Sequence, residues 1–246
     1  MDGSIIFAYF CEFNSVLKKV NLSSTGMTKE TLETIFESIV GNAKLSNVDV
    51  NLSNNDFGSG GYSYLIKSIK NAVNISGIDV SENKMKEKVF IEFLEAAKVC
   101  KNLEKVGIRH IVSKNSVSSN EKTLDLTNAL IALVNENRKI KHIDMSDGYG
   151  KSIILPFILS LHSNSTLHYL DISSNALSDK GAEAISQLIR VNKSLNTLLF
   201  DDNRTTLSGF NAIQYAIKHN TSIHTLPLPS EDVEKVLIIE ISLKFI

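Results

Sequence analysis

Leu167-His-Tyr-Leu170-Asp-Ile172-Ser-Ser-Asn175-Ala-Leu177 is the stretch whose reading decides the fold. Its Leu170-x-Ile172 core alternates with period two, which reads as a short strand with one face buried. The period then changes. In Ser178-Asp-Lys-Gly-Ala182-Glu-Ala-Ile185-Ser-Gln-Leu188-Ile189, the apolar positions 182, 185, 188 and 189 fall on one side of a helix. Ser178 reads as the N-cap of that helix, as Thr28 does before Thr31-Leu32. One strand and one helix cannot bury their apolar faces alone, so such a unit must stack on copies of itself.

The copies are present. First apolar positions fall at 17, 45, 75, 103, 140, 167, 195 and 223, usually about 28 residues apart. Asparagines that close the strand turn stand at Asn83, Asn175 and Asn203, and at Asn55, which reads as displaced by a two-residue bulge. Thr25, Ile111 and Gly148 take that place elsewhere. These ladder asparagines should be buried, with their amides bonded to the backbone of adjacent turns. A second column, Asn14, Asn42, Asn137, Asn164, Asn192 and Asn220, sits three residues before the next first apolar position. Asparagine tolerates the left-handed conformation that ends helices, so this column reads as a set of helix stops. The long step from 103 to 140 holds Ser113-Lys-Asn-Ser-Val-Ser-Ser-Asn120, expected to be a protruding loop.

The pattern is that of a leucine-rich repeat, and a full helix in each copy resembles the ribonuclease-inhibitor subtype. The expected fold is an α/β right-handed solenoid, a horseshoe with a parallel inner sheet and outer helices. Residues 17–231 would hold about eight repeats, within a single domain spanning 1–246. Residues 1–16 would be a partial preceding repeat or an N-terminal cap, and 232–246 the last outer helix or a C-terminal cap. The apolar ends lack the polar caps that solenoids need, which points to a piece of a longer protein. The other reading is a compact protein whose end helices are themselves the caps.

Hydrophobic content of 43% supports a sizeable core, and a net charge of −1 offers no general attraction to nucleic acid. Cys11 and Cys100 lie about three repeats apart, too far for a disulfide, and two unpaired thiols fit a reducing, cytoplasmic compartment. No signal peptide or transmembrane run is recognisable. Gly58-Ser-Gly-Gly61 lacks the lysine and spacing of a phosphate loop and reads as a turn. His142 and His168 fall on neighbouring strands without a third ligand, so no metal or cofactor is expected. No nucleophile and base align in the repeat frame, and no catalytic residue is assigned.

Function is expected on the inner face. Its central positions are Asn21, Asp49, Asp79, Gly107, Asp144, Asp171, Leu199 and Pro227, flanked by Glu82, Asp147, Asp201 and Asp202. The result is an acidic stripe interrupted by Lys105, Arg109 and His110. Asp49, Asp79, Glu82, Arg109, Asp144, Asp171, Asp201 and Asp202 are the candidate protein-binding residues, and a basic partner surface is implied. Aspartate at this position also serves as plain solubilising surface, so both readings stand.

The chain resembles the leucine-rich-repeat domain of the CARMIL family, the capping-protein, Arp and myosin-I linkers that regulate actin assembly. The resemblance is carried by Leu52-Ser-Asn-Asn-Asp-Phe-Gly-Ser-Gly-Gly61, by Leu170 through Ala182, and by Phe200-Asp-Asp-Asn203, Gly209-Phe210 and Leu226-Pro-Leu-Pro229. The irregular fourth repeat fits as well. The resemblance implies a middle scaffold in the cytoplasm, because the tail that binds capping protein in that family matches nothing here. Two other readings use the same repeat: a GTPase activator like the Ran activators, with Arg204 as the arginine on a rim loop, and an enzyme-wrapping inhibitor like ribonuclease inhibitor.

Overall fold

The computed structural model describes residues 3–111 and 120–244. Among the described residues seven short strands form one sheet: β1 (Lys19–Asn21), β2 (Val48–Asn51), β3 (Ile75–Asp79), β4 (Lys105–Gly107), β5 (His142–Asp144), β6 (Tyr169–Asp171) and β7 (Thr197–Leu199). They pair in sequence order, and every pair is parallel. The helices are α1 (Gly3–Phe13), α2 (Lys29–Val40), α3 (Gly58–Asn71), α4 (Glu87–Val99), α5 (Asn120–Glu136), α6 (Lys151–Ser160), α7 (Ser178–Val191), α8 (Leu207–Ile217) and α9 (Ser230–Lys244). One helix connects each strand to the next, so the architecture is the expected leucine-rich-repeat solenoid. The insertion at 113–120 falls almost wholly outside the described residues.

The core lies between sheet and helices. Val20, Val50, Ile78, Val106, Ile143, Leu170 and Leu198 form one buried row across the sheet, and Leu22, Leu52, Val80, Ile108, Met145, Ile172 and Phe200 form the next. From the helix side, Leu32, Ile35, Phe36 and Ile39 of α2 and Ala182, Ile185, Leu188 and Ile189 of α7 meet them. Cys11 and Cys100 are both buried and free, and burial pushes the Cys11 thiol up to about 11.

The four ladder asparagines are buried. Each donates its amide to two carbonyls one repeat apart. Asn83 bonds Leu52 O and Val80 O at 2.9 Å each, and Asn203 bonds Ile172 O at 3.0 Å and Phe200 O at 2.7 Å. Each side-chain oxygen accepts from the preceding turn: Asn55 N reaches Asn83 Oδ1 at 3.2 Å, and Asn175 N reaches Asn203 Oδ1 at 3.0 Å. The ladder closes on a residue the pattern does not mark. Buried Asp232 accepts from Asn203 N at 2.9 Å and Arg204 N at 2.8 Å.

Where Ile111 and Gly148 interrupt the ladder, Ile108 O would lose both of its amides. The buried Tyr149 hydroxyl donates to it instead, at 2.5 Å. The Tyr149 backbone N–H in turn donates to Asn175 Oδ1 at 2.9 Å, so one residue ties the Asn175 rung to the carbonyl of the interrupted repeat.

Several expectations need correction. The second asparagine column does not end helices through the left-handed region: Asn164 and Asn192 are extended, at φ −71° and −74°. These residues are instead a second ladder. Asn192 donates to Leu161 O at 2.8 Å and Asn164 O at 2.9 Å while accepting from Leu195 N at 2.8 Å. Cys100 holds that position in its own repeat, with its thiol 3.5 Å from Ala72 O. Thr28 does cap α2, accepting from Thr31 N, but α7 begins at Ser178, whose φ is +53°, with no side-chain cap. The eighth repeat has no strand; it adds one parallel bridge, Thr197 to Thr225, and leaves Leu228 exposed.

The displaced asparagine is the fourth correction. Val50 pairs with Val20 and Ile78, so Asn55 stands five residues past its strand centre, as Asn83 does past Ile78. The two extra residues precede the strand, near Asn47 at φ +55°. That moves Asp49 out of the Asp79 row.

Candidate functional site

The open face of the sheet carries two rows of side chains, set by strand register. Lys19, Asp49, Gly77, Lys105, His142, Tyr169 and Thr197 lie side by side in one. Asn21, Asn51, Asp79, Gly107, Asp144, Asp171 and Leu199 form the other. A hollow of about 350 Å³ opens over β1 to β5.

Two glycines make that hollow. A Cβ on Gly77 would overlap the Asp49 carboxylate, which leans across β3 to reach Lys105 Nζ at 2.7 Å. A Cβ on Gly107 would stand 2.6 Å from Asp79 Cγ. Each missing side chain lets an aspartate fold over the neighbouring strand. Asp79 thereby leans towards Asp144, the next acid in its row. His142 and Tyr169 stack at 3.7 Å with an interplanar angle of 6°. Burial, offset by Asp144, pulls the His142 pKa below its ordinary value and so favours the neutral ring. Burial, with Asp171 and Asp144 nearby, pushes Tyr169 up to about 12.

The candidate acids divide into three groups. Asp49 is paired with Lys105, Glu82 with Arg109 at 2.6 Å, and Asp202 with Lys235 at 2.6 Å. Asp201 is spent on the start of α9, accepting from Glu231 N and Asp232 N at 3.2 Å each. The structure therefore places Asp201 and Asp202 with the closing helix rather than with the rest of the stripe.

Asp79, Asp144 and Asp171 form the third group. Each accepts a bond from the backbone N–H two residues on, at 2.9, 3.0 and 2.9 Å. Among the described residues none is in a salt bridge. All three are half-buried rather than exposed. Burial raises the Asp171 carboxyl above its ordinary range; the bonds to Ser173 oppose this and Asp144 adds to it. In the first two repeats Asn21 and Asn51 make the same turn bond, at 3.0 and 2.9 Å. The turn requires an acceptor and not a charge, so the negative charge at 79, 144 and 171 is not explained by the fold.

One motif escaped the sequence reading. Gly150-Lys151-Ser152, between β5 and α6, has the last three letters of a phosphate loop. Its donors are already used: Tyr149 N and Gly150 N both go to Asn175 Oδ1, and the Lys151 ammonium is bonded to the Ser178 hydroxyl. Arg204 lies nearby on an exposed rim turn at φ +62°. Among the described residues no group of three or more His, Cys, Asp or Glu could hold a metal, and no helix is long and apolar enough to cross a membrane.

Parallel strands, outer helices and buried asparagine rungs define a leucine-rich-repeat solenoid, and the family model described as "Leucine Rich repeat" matches residues 163–186. Within that class the chain is a leucine-rich-repeat domain resembling the CARMIL proteins. It is 29% identical over 229 residues to Protein CARMIL of Dictyostelium discoideum, covering 91% of this chain and 22% of that protein. To the human "Capping protein, Arp2/3 and myosin-I linker protein 3" it is 26% identical over 231 residues, covering 93% and 16%. It is also 29% identical over 238 residues to "Rho GTPase-activating protein gacW" of Dictyostelium discoideum, covering 94% and 18%. The chain thus spans about a fifth of the length of the curated relatives it matches. The tropomodulin C-terminal domain of Caenorhabditis elegans shares the fold at TM-score 0.51 and 15% identity, over 65% of this chain and 92% of that one.

Proposed function

We propose that the chain is a non-catalytic, cytoplasmic protein-binding scaffold, the leucine-rich-repeat part of an actin-assembly regulator of the CARMIL kind. It would bind a basic segment of a partner along the concave face of the sheet. The observation that carries this reading is the charge at Asp79, Asp144 and Asp171, where Asn21 and Asn51 show that an amide serves the turn equally well. Three half-buried carboxylates along one row repel one another unless solvent or a cation compensates. A lysine- or arginine-bearing partner supplies that cation and is steered by it. The His142–Tyr169 stack offers an aromatic surface beside the row.

The test is charge reversal. Asp144→Lys with Asp171→Lys should slow association of a basic partner from cell extract several-fold, with a smaller effect at high salt. The isosteric Asp79→Asn, Asp144→Asn, Asp171→Asn triple should do the same while preserving every turn bond. The reading is overturned if no partner captured from the extract responds to either change. The relative named as a Rho GTPase activator motivates a second reading, in which exposed Arg204 enters a GTPase site. Stimulated GTP hydrolysis that is abolished by Arg204→Ala would favour it.

A further inference from the structure

We propose that the groove between α4 and α5, on the outer face of the solenoid, is a second docking site that takes a short amphipathic helix carrying lysine or arginine beside its apolar stripe. The groove has a volume of about 860 Å³. Ile91 on α4 and Ala129 and Ala132 on α5 line it, and alanines on the α5 side leave a trough where larger side chains would fill the space between two helices. From Lys88 to Glu95 the α4 wall runs roughly 10 Å at the helical rise, enough for about two turns of a partner helix. This is the geometry of helix-in-groove recognition, with apolar anchors at i, i+3, i+4 and i+7.

The rim selects the partner's charge. Glu87, Glu92 and Asp125 face two lysines, Lys86 and Lys88, while Glu95 is paired with Lys98 at 2.6 Å, so the rim is net acidic by one charge. Glu87 adds an independent observation. Its Oε2 is buried and has no hydrogen-bond partner among the described residues. A carboxylate with one oxygen desolvated and without a donor is costly to keep charged, and an ammonium or guanidinium held at the rim stabilises that charge through space. The sheet's open face lies on the opposite side of the helices, so both surfaces can be occupied at once. A scaffold with two such faces joins two partners.

The probe is a fluorescent synthetic helix of roughly 16 residues, with leucines at the anchor spacing and flanking lysines. Its controls are a glutamate-for-lysine twin and a scrambled sequence. Fluorescence anisotropy with the full 246-residue chain should show the basic helix binding at least tenfold more tightly than either control. Ala132→Arg, which fills the floor, should weaken it tenfold or more. Glu92→Lys, at an exposed rim position, should weaken it several-fold with an unchanged circular dichroism spectrum. Asp144→Lys with Asp171→Lys on the sheet face should leave it unaltered. No binding, equal binding of the scrambled peptide, or sensitivity to the sheet-face change alone would overturn the proposal.

Discussion

Replacing Asn175 with alanine removes the rung on which the middle of the solenoid hangs. The Asn175 amide donates to Met145 O and Ile172 O at 3.1 Å and to Ser173 O at 3.0 Å. Its Oδ1 accepts from Tyr149 N at 2.9 Å and Gly150 N at 3.2 Å. These bonds do not all count equally. Ile172 O keeps the Asn203 amide at 3.0 Å, and water reaches the part-buried bonds to Ser173 O and from Gly150 N. Two buried groups, Met145 O and Tyr149 N, lose the partner the side chain gave them. At about 1–3 kcal/mol for each orphaned group, with some relaxation, the expected cost is about 2–4 kcal/mol. In a chain of this size that lowers Tm by roughly 5–15 °C. Because repeat arrays open piecewise, amide exchange is the sharper assay. The Tyr149 amide should lose protection before any amide in the first three repeats does. Asn21→Ala is the control: its acceptor serves an exposed turn, and its cost should stay below about 1 kcal/mol. An unchanged melting curve together with a fully protected Tyr149 amide would refute the rung argument.

Tyr149→Phe keeps the ring and removes the donor to Ile108 O, so it should cost about 1–3 kcal/mol in denaturant titration. In the unaltered chain burial holds the Tyr149 phenol well above 10, so it should stay protonated at pH 10 in an ultraviolet titration. His142 gives a pH dependence of definite sign. Its folded pKa is depressed, so its contribution is complete above the unfolded value of about 6.5 and is lost as pH falls towards the folded value. Stability should therefore drop on acidification below about pH 6.5, and His142→Gln should flatten that drop in melts recorded across the range.

The strands and rungs were legible because they repeat. A period-two pair followed five residues later by asparagine occurs at Ile78 and Asn83, Leu170 and Asn175, and Leu198 and Asn203, and one physical requirement explains all three. What was not legible lies where the pattern changes while the requirement persists. Val48 and Val50 alternate as a strand in either phase, so pattern alone could not say that the extra residues come first and put Asp49 beside Lys19. Asp232 holds a rung without being asparagine, because a carboxylate can accept from two backbone N–H groups as an amide oxygen does. Tyr149 serves a carbonyl 41 residues before it, and no local signal marks it. The second asparagine column was seen but misread: its partners lie about one repeat away, and only the stacked structure shows them. The outer groove depends on two small side chains meeting one isoleucine across helices, a coincidence invisible along the chain.

The acidic row can be separated from the scaffold by the same logic. A residue that the fold requires can be exchanged only for one that meets the same need, and Asn21, Asn51, Asp79, Asp144 and Asp171 all meet the need for a turn acceptor. Charge is the property in which they differ, and at Asp171 it acts against stability. The raised Asp171 pKa means that folding disfavours its ionised form, so its stabilising contribution is present below the unfolded value of about 3.9 and is lost as pH rises through the folded one. At neutral pH the folded chain thus carries a penalty that asparagine at the same position would avoid. A cation placed over the row offsets that penalty only while it is bound, and this makes the row a better site for recognition than for structure.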